Sequence, residues 1–141
     1  MAKHGYIDER LAEVPMFSAC SKQELRQISR LATEVEVKEG RVLTEEGKLG
    51  REFMVILDGT ATVTIGGEQV ATLGPGDSFG EVALLSRGPR TATVEATSDM
   101  TLEVVSARDF NQLVEDVPQL ARKLLVGLAE YVAANVTDGK R

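Results

Sequence analysis

The sequence predicts an α+β chain, mainly β, with a run of short strands between helical ends. Three observations predict it. From Val35 onward apolar and polar residues alternate with a period of two, the side-chain period of a strand. Turn signals built on glycine recur about every eight to twelve residues, the spacing of a closed roll or a sandwich. Before Val35 and after Val105 the apolar period lengthens to that of a helix. A length of 141 residues fits one domain with its own core, and 43% hydrophobic with 27% charged residues is ordinary soluble composition.

The elements follow in order. Ile7, Leu11 and Val14 share one helical face, and Pro15 is expected to break that helix, with Met16 and Phe17 packing down onto the body. Ser21 and Glu24 form a capping box that opens a helix striped by Leu25, Ile28, Leu31 and Ala32. Val35 and Val37 then alternate with charged residues as a first strand, and Glu39-Gly40-Arg41 turns the chain into a second at Val42-Leu43. Glu46-Gly47-Lys48-Leu49-Gly50 reads as a loop, and Phe53 to Leu57 as a buried strand. After Asp58-Gly59, Ala61, Val63 and Ile65 alternate with threonines, and Gly66-Gly67 signals a hairpin into Val70, Ala71 and Leu73. Gly74-Pro75-Gly76-Asp77 is a dense turn cluster. Thr93 to Ala96 and Met100 to Val105 read as two further strands. Ser106 caps a helix with Asp109 in its first turn and Phe110, Leu113 and Val114 on its apolar face. Pro118 restarts the chain into a helix carrying Leu120, Leu124, Leu125, Leu128 and Val132, a stripe for packing, a movable lid or a dimer seam. The tail from residue 137 is polar and expected to fray.

The chemistry concentrates in residues 79–94. Phe79 ends a strand. Gly80, lacking a Cβ, lets the backbone approach a ligand, and Glu81 opens one turn of helix whose free N–H groups suit an anion. A tight loop, Ser86-Arg87-Gly88-Pro89, leads to Arg90, whose planar fork matches two oxygens of one phosphate. The Thr91 hydroxyl and the Ala92 N–H add donors beside it. Together these groups make a pocket for one small sugar phosphate, with Glu81 accepting from a sugar hydroxyl. Taken singly, each has a plainer reading: a turn glycine, a solvated charge at a helix start, a surface arginine. Their joint order and spacing favour the site.

The run Phe79, Gly80, Glu81, Ala83, Leu84, then Arg90, Thr91 and Ala92, resembles the phosphate-binding cassette of the cyclic nucleotide-binding domain family. That family includes kinase regulatory subunits, nucleotide-gated channels and catabolite-activator-type sensors. The lead-in Val14-Pro15-Met16-Phe17 and the turn glycines at Gly47, Gly59, Gly74 and Gly76 extend the likeness over roughly residues 11–130. The resemblance implies an antiparallel β-roll, jelly-roll-like, flanked by N-terminal helices and a C-terminal helix pair. It implies one domain over 1–141: a lead-in at 1–34, the roll at 35–105 with its cassette at 79–94, hinge and lid helices at 106–136, and a tail at 137–141. By the same resemblance Arg90 pairs with the exocyclic phosphate oxygens, helped by N–H groups near Val82, Ala83 and Ala92. Glu81 and the Gly80 N–H take the ribose 2′-hydroxyl, and Val63, Val70 and Ala71 line the base. Family members that lose the ligand usually lack the arginine or the glutamate, and this sequence has both. Many members cap the base from the last helix, where Tyr131, Leu128 and Asn135 are the candidates. Thr91 could favour guanine, but cyclic-AMP binders also carry a hydroxyl there, so the ligand is expected to be cyclic AMP ahead of cyclic GMP. In the family's signalling mode, ligand draws the cassette turn inward and Leu85 presses on the segment near Phe110 and Leu113.

Composition narrows the alternatives. A net charge of −6 argues against a DNA partner, which wants a basic face. The single Cys20 forms no internal disulfide and fits a reducing compartment as a small semi-buried filler. No apolar run approaches the ~20 residues of a membrane span, so no membrane partner and a cytoplasmic location are expected. Catalysis and a metal site are not expected, because the only histidine is His4, near the N-terminus. The expectation is a non-enzymatic, stand-alone sensor needing no cofactor. Its output would pass through an unidentified protein partner or a homodimer along the C-terminal helix. Met1 and the polar tail lean towards a complete protein. The competing reading is an interaction domain that keeps the fold without using the nucleotide site.

Overall fold

Alternation and turn chemistry place the strands where the pattern puts them. In a computed structural model that describes residues 9–85 and 88–137, the chain divides into two units. One holds residues 31–111, and the other holds 1–30 with 112–141. Ile7, His4, Ser86, Arg87 and residues 138–141 lie outside the described residues.

The first unit is an antiparallel roll. Among the described residues it has eight strands in two four-stranded sheets. One sheet runs β1 (Thr33–Val37), β8 (Met100–Ser106), β3 (Glu52–Asp58), β6 (Ser78–Phe79). The other runs β2 (Val42–Thr44), β7 (Thr93–Ala96), β4 (Ala61–Ile65), β5 (Glu68–Leu73). Register follows side-chain alternation: Val35 opposes Leu102, Met54 opposes Phe79 and Val63 opposes Val94. Inward residues of both sheets, among them Met54, Ile56, Phe79, Val94, Met100 and Leu102, close one buried core. Phe53, Val55 and Val105 are buried on the opposite pleat of β3 and β8. The β4–β5 hairpin turns on Gly66 and Gly67 at φ 60° and 86°, left-handed values that suit a two-residue primed turn.

The second unit is helical. Residues 9–11 close a helical turn, with Leu11 and Val14 buried. Pro15 does not simply break the chain. It starts a 3-10 turn, Pro15–Phe17, whose Met16 and Phe17 are buried. The helix α1 (Lys22–Ser29) opens on the predicted capping box. The Glu24 N–H donates to Ser21 Oγ at 3.1 Å, and the Ser21 N–H donates to Glu24 Oε1 at 2.7 Å. Leu25 and Ile28 are buried, but the helix ends at Ser29, so Leu31 and Ala32 fall beyond it and only half-bury. The physical reason is close by: Thr33 is already paired with Val104 in the sheet.

Ser106 does cap the next helix, α2 (Ala107–Asp116), its Oγ accepting from the Asp109 N–H at 3.1 Å. The boundary between the units falls within α2. Pro118 sits first in α3 (Pro118–Thr137), where its missing N–H costs nothing. The predicted leucine stripe splits. Leu120 and Leu124 are buried, while Leu125 and Val132 are exposed. Leu125 lies about 100° round the helix from Leu124, off the packed face. Lys123 Nζ donates to both Glu24 carboxylate oxygens, at 2.8 and 3.0 Å. Burial pushes the Glu24 carboxyl up, but the bonds from Lys123 and Ser21 outweigh it and hold it below its ordinary value. Burial beside Glu24 pushes the Cys20 thiol up to about 11, so it stays a protonated filler. Gly127 lets α3 approach the 3-10 turn closely, since a Cβ there would lie 2.7 Å from the Pro15 carbonyl oxygen and 2.8 Å from that of Met16. No helix among the described residues is long and apolar enough to cross a membrane.

Candidate anion-binding site

The site is built on the end of β6, which hydrogen-bonds to β3 with Ser78 opposite Val55. One residue beyond β6 stands Gly80 at φ 86°, left-handed backbone that a side chain would strain. A Cβ there would also sit 2.6 Å from the Glu52 carbonyl oxygen and 3.0 Å from Arg90 Nη1. Gly80 is thus where β6, the start of β3 and the arginine converge. Glu81 then opens a 3-10 turn, Glu81–Leu84, pinned by the fully buried Leu84. The turn is tighter than an α-helical one, as suits so short a segment. Glu81 is half-buried. Burial pushes its carboxyl up, partly countered by a backbone hydrogen bond within the residue itself. The side chains of Val82 and Ala83 lie outside the described residues. Leu85 ends the turn exposed.

Arg90 is half-buried, and its backbone is fixed on both sides. Its N–H donates to the Lys48 carbonyl at 2.8 Å, and its carbonyl accepts from the Gly47 N–H at 2.9 Å. Its Nη2 donates to the Glu52 carbonyl at 3.0 Å. Burial draws the guanidinium pKa down, and the nearby Glu52 carboxylate offsets this only in part. Among the described residues no carboxylate forms an ion pair with it within 4.0 Å. A guanidinium has five donors and no acceptor, so one bond leaves most of the fork unspent. Thr91 beside it is exposed, and Ala92 is half-buried with its carbonyl accepting from Thr44 Oγ1 at 3.1 Å.

The remaining candidates spread further. Val63 is half-buried against the core and opposes both Ala71 on β5 and Val94 on β7. Ala71 is exposed. Val70 is 55% exposed, at a bulge where pairing passes from Ala71 to Gln69 and leaves it no opposite residue. Tyr131 is 51% exposed on α3, Leu128 is half-buried, and the Asn135 side chain lies outside the described residues. Gly80 and Arg90 are therefore brought together, and Val63 and Ala71 stand face to face.

Sequence reasoning passed over Gly50 and Glu52, both of which touch the arginine. The available cue was Gly50 itself, a second glycine at the end of a loop where no turn needs one. A separate cavity of about 270 Å³ is lined by Glu36, Lys38, Asp58 and Asp99 among others, and by none of the cassette residues. With three carboxylates to one ammonium it repels an anion.

Comparison with known proteins gives a family match and related folds. The sequence profile of the cyclic nucleotide-binding domain matches residues 34–117. The cAMP-dependent protein kinase regulatory subunit of Hypocrea atroviridis is 34% identical over 122 residues, covering 86% of this chain and 26% of that protein. The chain spans about a quarter of the length of the kinase regulatory subunits it matches. Among solved structures, the N-terminal domain of a transcriptional regulator from Streptomyces coelicolor A3(2) superposes with a TM-score of 0.77 at 25% identity, covering 89% of this chain and 91% of that one. The regulatory domain of Toxoplasma gondii PKA, co-crystallised with cAMP, gives 0.72 at 28% identity, covering 82% of this chain and 46% of that one. With the profile spanning both the roll and its cassette, the chain belongs to the cyclic nucleotide-binding domain family.

Proposed function

We propose that this chain binds a cyclic nucleotide, cyclic AMP ahead of cyclic GMP, as a non-catalytic sensor domain in the cytoplasm. The observation that carries the reading is Arg90: a half-buried guanidinium, fixed by backbone at both ends, with no carboxylate partner among the described residues. A partly desolvated cation held in that way suits an anion, and a cyclic phosphate brings one negative charge with two exocyclic oxygens for the fork. Glu81, Gly80 and the N–H groups at Val82, Ala83 and Ala92 take the ribose and the remaining phosphate contacts. Val63, Val70, Ala71 and Thr91 face the base, and Tyr131 is the candidate lid. The kinase regulatory subunits and the cAMP-bound parasite domain among its relatives support the choice of nucleotide.

Output passes to a protein partner or a second copy of the chain. Leu125, Val126, Tyr131 and Val132 are exposed apolar positions on α3 that such a contact would cover. The net charge of −6 supports a protein over DNA as that partner.

Calorimetric titration with cyclic AMP, cyclic GMP and linear 5′-AMP tests the reading. Tight binding of cyclic AMP, weaker binding of cyclic GMP and little of the linear dianion is the expected order. A melting temperature that rises with ligand should accompany it. No binding of either cyclic nucleotide overturns the reading and leaves the interaction-domain alternative.

A further inference from the structure

Arg90 is the group through which the proposed function works, and most of the residues that hold it come from one short run, 47–52. Gly47 and Lys48 bond its backbone from either side, at 2.9 and 2.8 Å. Gly50 lies against the guanidinium itself: a Cβ there would stand 2.7 Å from Nε, 3.2 Å from Nη2 and 3.3 Å from Cζ. The Glu52 carbonyl then accepts from Nη2 at 3.0 Å. Gly80 completes the enclosure on the Nη1 side, where a Cβ would come within 3.0 Å.

Gly50 differs from most turn glycines here. Its backbone is not left-handed, unlike Gly47 and Gly80, so alanine is allowed by conformation and would have to push the arginine side chain aside. The glycine is there for space.

We infer that Gly50 and the Glu52 carbonyl form a seat that fixes the Arg90 fork before ligand arrives, making Gly50 a positioning residue for phosphate recognition. The inference rests on the proposed nucleotide site and names the part of the chain that tunes its affinity. A long side chain that must be ordered on binding weakens affinity by about two- to tenfold, and a seated one avoids that loss. Seating also fixes direction. Nη2 bonds the carbonyl, and Nε and Nη1 lie against Gly50 and Gly80, so the plane of the fork is set before it meets the phosphate.

The test reads the arginine directly. In ligand-free protein, ¹⁵N relaxation of the Arg90 Nε–H should give an order parameter near that of rigid backbone, about 0.85. Gly50→Ala should drop it and shift the resonance, with cyclic AMP affinity falling about tenfold and the melting temperature nearly unchanged. Gly74→Ala is the control. It too has ordinary backbone, its added Cβ meets nothing within 4 Å, and it should leave both readouts in place. An Arg90 Nε–H order parameter below about 0.6 in the unliganded wild type overturns the seat. So does a Gly50→Ala protein with unchanged relaxation and affinity. If wild type binds no cyclic nucleotide, the functional reading fails by itself, while relaxation still decides whether the arginine is seated.

Discussion

Replacing Arg90 separates charge from geometry. Arg90→Ala removes the cation, leaves the Glu52 carbonyl without its Nη2 donor and strips the ligand phosphate of its fork. Removing one partner of a desolvated charged pair costs about 2–5 kcal/mol. At about 1.4 kcal/mol per decade, affinity should fall roughly thirtyfold to several thousandfold. Arg90→Lys keeps the charge but offers a point donor on a flexible stem. It cannot serve the Glu52 carbonyl and two phosphate oxygens together. Its loss should be intermediate, about ten- to a hundredfold. Fold stability should change little, because the one internal bond lost from the side chain is worth about 1 kcal/mol and the backbone bonds to Gly47 and Lys48 survive. The assay is titration calorimetry of all three proteins with cyclic AMP, beside thermal melts. Affinity of the alanine variant within threefold of wild type would refute the reasoning. So would a lysine variant as weak as alanine, since the charge itself would then contribute nothing.

Three further outcomes are expected. Burial raises the Glu81 carboxyl above its ordinary value, so its acceptor role at the ribose should be lost early on acidification. Nucleotide affinity should decline at a higher pH than an unburied carboxylate would give, and Glu81→Gln should flatten that profile in a pH series of titrations. Glu24 is held low, so its contribution to stability is present above its unfolded value and disappears as pH falls through the folded one. Lys123→Met should cost about 1.5–3 kcal/mol at pH 7, and urea melts of the two proteins should converge at low pH. Gly127→Ala should lower the melting temperature even though alanine favours helix by about 1 kcal/mol, because the new methyl meets two backbone carbonyls; a higher melting temperature would contradict the close approach.

What could be read in advance follows from the range of the interactions. The capping box spans four residues and the hairpin glycines are adjacent, so local chemistry dictated both. The strands were legible because alternation is a local pattern that the sheet only has to accept. The cassette was legible because its chemistry lies in one stretch, with Gly80 and Arg90 ten residues apart in sequence. The Arg90 seat was not, since Glu52 lies 38 residues away along the chain, and the Lys123 bond to Glu24 spans 99. No periodicity encodes such pairs. The end of α1 was missed for a related reason: Leu31 continues the helical stripe, but Thr33 is already claimed by a strand partner from the far end of the roll. The stripe on α3 was drawn too wide, because apolar residues adjacent in sequence point to different faces and only Leu120 and Leu124 bury fully.

The pairing of β1 with β8 also bears on how the protein is made. Thr33 finds its partner only in Val104, and β8 is the strand between β1 and β3 in its sheet. In the other sheet β7 separates β2 from β4. The interior strand shared by each of these pairs is therefore synthesised after both of its neighbours. A nascent chain halted before residue 93 carries four strand edges, on β1, β2, β3 and β4, waiting for β7 and β8, and such edges are where foreign strands attach. The roll can close only once Ser106 has left the ribosome, so a chaperone that shields β1, β2, β3 and β4 until then would raise the yield of native protein.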